Sequence, residues 1–329
     1  MPPIERIDEI DAKILKDLLI EGRKEFTKIA KEIKVSKDVI WQHYNNMMKK
    51  KIIVGATIQL DYTVLGYDIS ANFIVDTPTN QQQQVMKDLR KIGGIYDAYR
   101  WGSPSRIWAV TGLMKTDQIE LVKQKIKKVP SVLRVEVEIW TGLRNTPENL
   151  SILTNTKKAV FTEKKDSPTG KRDGKKPNKI DELDRRLIEE LSVNNRVSFN
   201  QISKKLDTSA STIIRRYTKL ERNHIIRSLI QINPARIGYT IQASFRLIID
   251  SHEGLNNIAV GISEIPDVSG VLKTSGKHDL TVFTAIKSFE HLFAVEHEIV
   301  SIPGVREVET PALSQLSILP YPREHISTF

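Results

Sequence analysis

Apolar residues recur at three- and four-residue spacing through the first fifty positions of this chain, then give way to runs in which apolar and polar residues alternate. Ile10, Ile14, Leu15 and Leu18 fall on one helix face, and Asp8 and Asp11 stand where they can cap its N-terminus. Phe26, Ile29 and Ile33 predict a second, short helix. A tight turn then leads to Ser36, the N-cap of a third helix that buries Ile40, Tyr44 and Met47. Beyond it VGATIQL reads as a strand, expected to form a small wing. After Gly66-Tyr67 the pattern predicts strand Ile69–Val75, helix Gln81–Ile92, strands Ile95–Trp101 and Arg106–Met114, helix Asp117–Val129 and strand Val132–Trp140.

The same text is then written again. A shift of 173 residues places Ile7-Asp8-Glu9 on Ile180-Asp181-Glu182, and residues 7–54 share 14 identities with residues 180–227. Arg23/Arg196, Phe26/Phe199, Ile29/Ile202, Ser36/Ser209 and Tyr44/Tyr217 are among them. RSLIQI repeats the wing strand, and the second half continues as Ile241–Ile249, Leu255–Ile265, Val268–Thr274, Leu280–Ile286, Phe289–Ile302 and Val305–Thr310. The fold class is therefore α+β, a tandem repeat of a winged helix-turn-helix followed by a ferredoxin-like βαββαβ module. The expected boundaries are 1–59 and 60–150 for the first unit, a linker at 151–179, and 180–232 and 233–329 for the second with its C-terminal tail. A βαββαβ sheet covered by helices on one side leaves the other face open, so sheets should pair, within the chain or between chains as a homo-oligomer.

Charge adds a partner to this picture. The net charge of +10 at pI near 9.5 suits a polyanion, yet residues 151–179 alone hold nine basic and three acidic side chains. That segment, rich in Lys, Thr, Gly and Pro, reads as a flexible tether that is either a solvated spacer or a second phosphate contact. Zero cysteines exclude disulfides and thiolate sites and favour a reducing compartment, the cytoplasm. No apolar run reaches membrane-span length, so no membrane partner is expected.

A helix-turn-helix lays its last helix in the major groove of double-stranded DNA. In the second copy that helix, capped by Ser209, presents Ser211, Thr212, Arg215, Arg216, Lys219 and Arg222. Arg is suited to bidentate contact with guanine. The first copy offers Gln42, His43 and Asn46 in place of Arg215, Arg216 and Lys219, with Lys37 retained and Asp38 in the first turn, so either weaker or altered reading is expected there.

The stretches IDELDRRLIEEL, ISKKL and STIIRRYTKLERNHII, followed by βαββαβ, resemble the Lrp/AsnC (feast/famine) transcription regulators over nearly all the chain, twice. Family members generally carry one unit per chain, so the tandem implies a pseudo-dimer. The resemblance also implies a small effector, often an amino acid, bound near a Gly-x-x-Asp turn. The second copy keeps that turn as Ser275-Gly276-Lys277-His278-Asp279, whereas the first reads Gly102-Ser103-Pro104-Ser105-Arg106, with Arg106 where the Asp would stand. The turn equally reads as a plain hairpin using Gly for backbone freedom and Asp for turn bonding.

No histidine pair has metal-ligand spacing, the GKRDGKK run follows no strand and lacks the Ser/Thr of a P-loop, and no catalytic set emerges. Neither a metal, a cofactor nor an enzyme is expected. Two other readings stand beside the regulator. Siroheme decarboxylases share these modules and also occur as fused pairs, and Tyr99-Arg100 with Trp108 loosely resemble their middle strands. A shape-reading architectural DNA-binding protein is the third.

Overall fold

The computed structural model describes residues 3–60, 69–103, 105–153, 180–250, 254–309, 312–316 and 318–320. The Gly66-Tyr67 pair, the basic tether from 154 onward and residues 321–329 of the tail lie outside them. The first half runs α1 (Glu9–Ile20), α2 (Phe26–Ile33), α3 (Lys37–Lys49), β1 (Ile53–Leu60), β2 (Ile69–Asp76), α4 (Gln82–Leu89), β3 (Ile95–Arg100), β4 (Arg106–Leu113), α5 (Asp117–Lys127) and β5 (Arg134–Asn145). The second runs α6 (Glu182–Val193), α7 (Phe199–Lys205), α8 (Ala210–Arg222), β6 (Ile226–Ile232), β7 (Ile241–Ile249), α9 (Leu255–Glu264), β8 (Val268–Ser275), β9 (Leu280–Ile286), α10 (Phe289–Val300), β10 (Val305–Val308) and β11 (Ala312–Gln315).

The repeat extends to the backbone. Asp8 with Asp11 and Asp181 with Asp184 form reciprocal capping boxes at the starts of α1 and α6. Ser36 and Ser209 cap α3 and α8, accepting from Val39 N and Thr212 N. Lys34 and Asp207, which occupy the same place in the two copies, both turn left-handed between the second and third helices, at φ 59° and 50°. That single residue makes the sharp turn of a helix-turn-helix.

The expected wings are not separate. β1 pairs antiparallel with β6, from Ile53 opposite Ile232 to Leu60 opposite Ile226, so the two copies share one ribbon. Each strand carries apolar residues and pairs along its length, among the described residues, with the equivalent strand of the other copy, which satisfies its edge. The heads cross over it. Ile230 and Ile232 of β6 join the core of α1–α3, while Ile58 and Leu60 of β1 join the core of α6–α8.

The remaining strands form one sheet in the order β10-β7-β9-β8-β5-β2-β4-β3, with β11 continuing the pairing on β7. Within each module the first strand lies between the fourth and third, as a ferredoxin-like βαββαβ requires. The modules join where β5 pairs antiparallel with β8. One face of each module packs on its own helices, through Phe73, Val75, Leu89 and Ile126 in the first and Phe245, Val282, Ile262 and Ile299 in the second. The opposite faces meet each other: Trp101 stacks on Trp108 at 3.9 Å and meets Phe283 edge-on at 5.8 Å. The open faces expected to join sheets are thus paired within one chain.

The tether starts later than position 151. Ser151–Leu153 form a 3-10 turn with Leu150 and Leu153 buried in the first head's core. Ser151 N donates to Asp267 Oδ1 at 2.6 Å, and the buried Tyr239 hydroxyl donates to the same oxygen at 2.7 Å and accepts from Ile152 N at 3.3 Å. Burial pushes the Tyr239 phenol upward, so it remains a donor. Tyr239→Phe leaves these groups short of a partner and should lower unfolding free energy by about 1–3 kcal/mol, measured by urea denaturation. An unchanged midpoint would show that the hydroxyl contributes nothing.

Candidate nucleic-acid interface

Burial of Ile213, Tyr217 and Leu220 turns one face of α8 to the core and fixes the other outward. Ser211, Arg215, Lys219 and Arg222 are exposed, with Thr212 half-buried beside them. Arg215, Lys219 and Arg222 form no ion pair among the described residues, so their charge is available to a polyanion. Ser209 is committed to the cap, its hydroxyl also lying 2.9 Å from those of Ser211 and Thr212.

Arg216 departs from the expected reading set. Its Nη1 donates to Asp184 Oδ1 at 2.9 Å and to Asp181, the two carboxylates of the α6 capping box. Its position on the helix, one step round from Arg215, points it at α6 instead of outward. The Arg216 hydrogen bond is the largest reason that Asp181 lies below the usual carboxylate range. A lowered carboxylate contributes stability that is present above its ordinary pKa and is lost as pH falls through the lowered value.

In the first head His43 takes the same seat, with Nδ1 2.9 Å from Asp11 Oδ1 and 3.7 Å from Asp8 Oδ2. It too leaves the expected reading set. Gln42 and Asn46 remain exposed, as does Lys37. Trp41, 57% exposed, replaces Ile214 on this face. The first helix-turn-helix therefore presents amides and a ring where the second presents guanidinium and ammonium groups.

Two arginines hold the heads together. Arg23 reaches across to the carbonyls of Asn195 and Val197 and lies 4.0 Å from the Phe199 ring centroid. Arg196, its counterpart, reaches back to the Gly22 carbonyl and lies 4.8 Å from the Phe26 ring. Burial lowers both guanidinium pKa values. The Asn195 side chain donates to the carbonyls of Thr57 and Leu229, one on each strand of the ribbon. Arg23 and Arg196 are legible in the sequence as repeated identities, but their exchange between copies is not.

The two candidate effector turns differ. In the second module Asp279 Oδ2 accepts from Ile249 N at 2.8 Å, and His278, 3% exposed, lies 2.9 Å from Glu309. There the Asp serves the backbone of the hairpin, and Ser275 and Gly276 lie at its tip. In the first module Trp101, Ser103 and Arg106 face Ser244, Arg246, Glu309 and Ala312 of the second across a cleft of about 120 Å³. Gly102 lines it too: at φ 60° an added Cβ would sit 2.7 Å from that of Ala312. Arg106 Nε pairs with Asp76 at 3.0 Å. Arg246 went unnoticed in the sequence, where it reads as one polar position on a strand; only the meeting of the two sheets brings it to Arg106.

Each head has the helix-turn-helix plan whose third helix enters a major groove in DNA-binding proteins, and the two heads sit on paired ferredoxin-like modules. Residues 180–221 match the AsnC-type helix-turn-helix domain. The HTH-type transcriptional regulator FL11 of Pyrococcus abyssi is 33% identical over 132 residues, covering 40% of this chain and 87% of that protein. An uncharacterized HTH-type transcriptional regulator of the same organism, PYRAB01370, is 28% identical over 148 residues, 44% of this chain and 92% of its own length. The chain belongs to the Lrp/AsnC-type family of HTH regulators. In overall fold it is similar to the siroheme decarboxylase NirDL, with a TM-score of 0.60 and 14% identity over 94% of this chain and 92% of that one. No helix among the described residues is long and apolar enough to cross a membrane.

Proposed function

We propose that this protein is a sequence-reading transcription regulator that binds duplex DNA mainly through α8 and is modulated by a small effector held between its modules. Arg215, Lys219 and Arg222, exposed on a capped third helix and without an ion pair among the described residues, carry the reading, because DNA affinity comes from cations on phosphate and sequence choice from side chains on base edges. The relatives named as transcriptional regulators support it. The first head contributes weaker contacts at a spacing set by the shared ribbon and the two arginines.

Fluorescence anisotropy with the protein's own upstream region and a scrambled duplex, each at two salt concentrations, tests this. Affinity for the preferred site should exceed that for the scrambled one by about a thousandfold, with a salt slope near 0.9 per phosphate contacted. A steep slope with equal affinities would instead indicate an architectural protein. Similarity of fold to NirDL raises a tetrapyrrole enzyme as the second reading. The exposed cations of α8 and the relatives named as transcriptional regulators favour the regulator.

A further inference from the structure

The seam between the modules collects buried hydrogen-bond donors that lack an acceptor. Arg246 Nη2, Trp108 Nε1 and Thr281 Oγ1 are all shielded from solvent and form no hydrogen bond. They lie together. Thr281 is the register partner of Arg246 on the neighbouring strand, and the Arg246 guanidinium stands over the Trp108 ring, 5.4 Å from its centroid. A buried donor left unpaired is destabilising, and more so when it is charged. The need here is for an acceptor carrying negative charge.

The carboxylates at the cleft do not meet that need. Asp76 is paired with Arg106, and Glu309 contacts Lys277 and lies 2.9 Å from His278. Burial alone would raise the Glu309 carboxyl, yet Lys277 and His278 hold it below its ordinary range, so it is charged and engaged. Arg246 has no acidic partner among the described residues. The Trp101 ring, lining the same cleft, offers an apolar wall. Nothing in the cleft offers a free carboxylate to an ammonium group, and Arg106 stands where the second copy has Asp279.

We propose that this seam binds a small organic carboxylate with an apolar flank and no ammonium group, its carboxylate on Arg246 and its flank on Trp101. The two guanidinium groups supply charge-assisted hydrogen bonds, and the ring supplies contact area. The site exists only because the two modules are unlike: Arg246 and Thr281 occupy in the second module the paired positions that Ile74 and Trp108 occupy in the first. This deepens the effector reading and rests on it for the regulatory role of the ligand, while binding itself is read without DNA.

Three of the four tryptophans, Trp101, Trp108 and Trp140, lie in the seam cluster, and the fourth, Trp41, is on the surface of α3. In a Trp41→Phe protein, tryptophan emission therefore reports the seam. It is titrated with 2-oxoisovalerate, benzoate, L-valine and inorganic phosphate. Both organic acids should give saturable changes, and L-valine, which carries an ammonium in place of the keto oxygen, should bind at least about tenfold more weakly. Arg246→Met should lose about tenfold or more in affinity. Arg106→Met, at a half-exposed position on the opposite wall and so tolerant of change, should also weaken binding and serves if the first variant does not fold. Valine binding as tightly as the oxo acid, phosphate as tightly as the carboxylates, or no response to any probe would overturn the assignment. Loss of this site with DNA preference intact rejects the carboxylate alone; loss of DNA preference with the site intact rejects the regulator alone.

Discussion

Replacing Arg215 and Lys219 together by alanine should remove most of the sequence preference for DNA while leaving the fold intact. Both side chains are exposed on α8 and form no ion pair among the described residues, so their loss leaves no buried group unpaired there. A base-reading side chain is worth about 1–3 kcal/mol of discrimination, and taking one cation away from a phosphate reduces the salt slope by about one. The pair should therefore reduce the ratio of specific to scrambled affinity by at least about thirtyfold if Arg215 reads a base. Gln42→Ala with Asn46→Ala, at the matching places on α3, should change the same ratio far less, because amides add no charge for phosphate. Arg216→Met is the informative contrast. It breaks the ion pairs with Asp181 and Asp184 and should lower thermal stability without altering sequence choice. Equal losses from the α3 and α8 variants would show that both heads read DNA alike and that charge on α8 is incidental.

Gly22→Ala should be among the most destabilising single substitutions in the chain. An added Cβ would lie 2.5 Å from Leu229 N and 2.7 Å from its Cα and carbonyl carbon, all backbone atoms of the central ribbon. Backbone in a paired strand cannot swing aside as a flexible side chain would. Gly22 N also donates to the Ser228 carbonyl at 2.7 Å, so moving the turn away gives up a hydrogen bond as well. Overpacking of this kind costs about 3 kcal/mol. Urea denaturation followed by circular dichroism measures it, with Gly93→Ala as control, since a Cβ there meets nothing within 4 Å. The hydrogen bond from Arg196 to the Gly22 carbonyl should break in the same variant, loosening one head from the other. A Gly22→Ala protein as stable as the control would mean that the heads can part without cost.

Local physics made most of the elements legible. Capping carboxylates, serine caps and three-four spacing placed α1, α3, α6 and α8, and alternation placed β7 and β9 with both ends correct. Helix ends were overrun where the apolar pattern runs on to the glycine or proline beyond: it continues to Ile92 and Ile302, before Gly93 and Pro303, while the helices close at Leu89 and Val300. Within the candidate DNA face the outward direction of Arg215 and Lys219 follows from the buried positions of the helix. Arg216 does not follow, because its partners lie 32 and 35 positions away on another helix.

By itself the sequence determined that one unit is written twice, that each unit is three helices followed by βαββαβ, and that the second copy carries the cationic third helix. These are properties of spacing, capping and charge along a short stretch, and they hold whatever surrounds it. Only the tertiary structure decided that the two wing strands form one ribbon, that Arg23 and Arg196 exchange between heads, and that the open sheet faces close on each other. It also decided that Arg246 lines one cleft with Arg106 and Trp101 and stands over the Trp108 ring. Such contacts join residues far apart in the chain, 172 positions between Arg23 and Asn195 and 182 between Trp101 and Phe283, and depend on how two nearly equal copies dock. Periodicity cannot report them, because it records which side of an element faces inward and not what waits there.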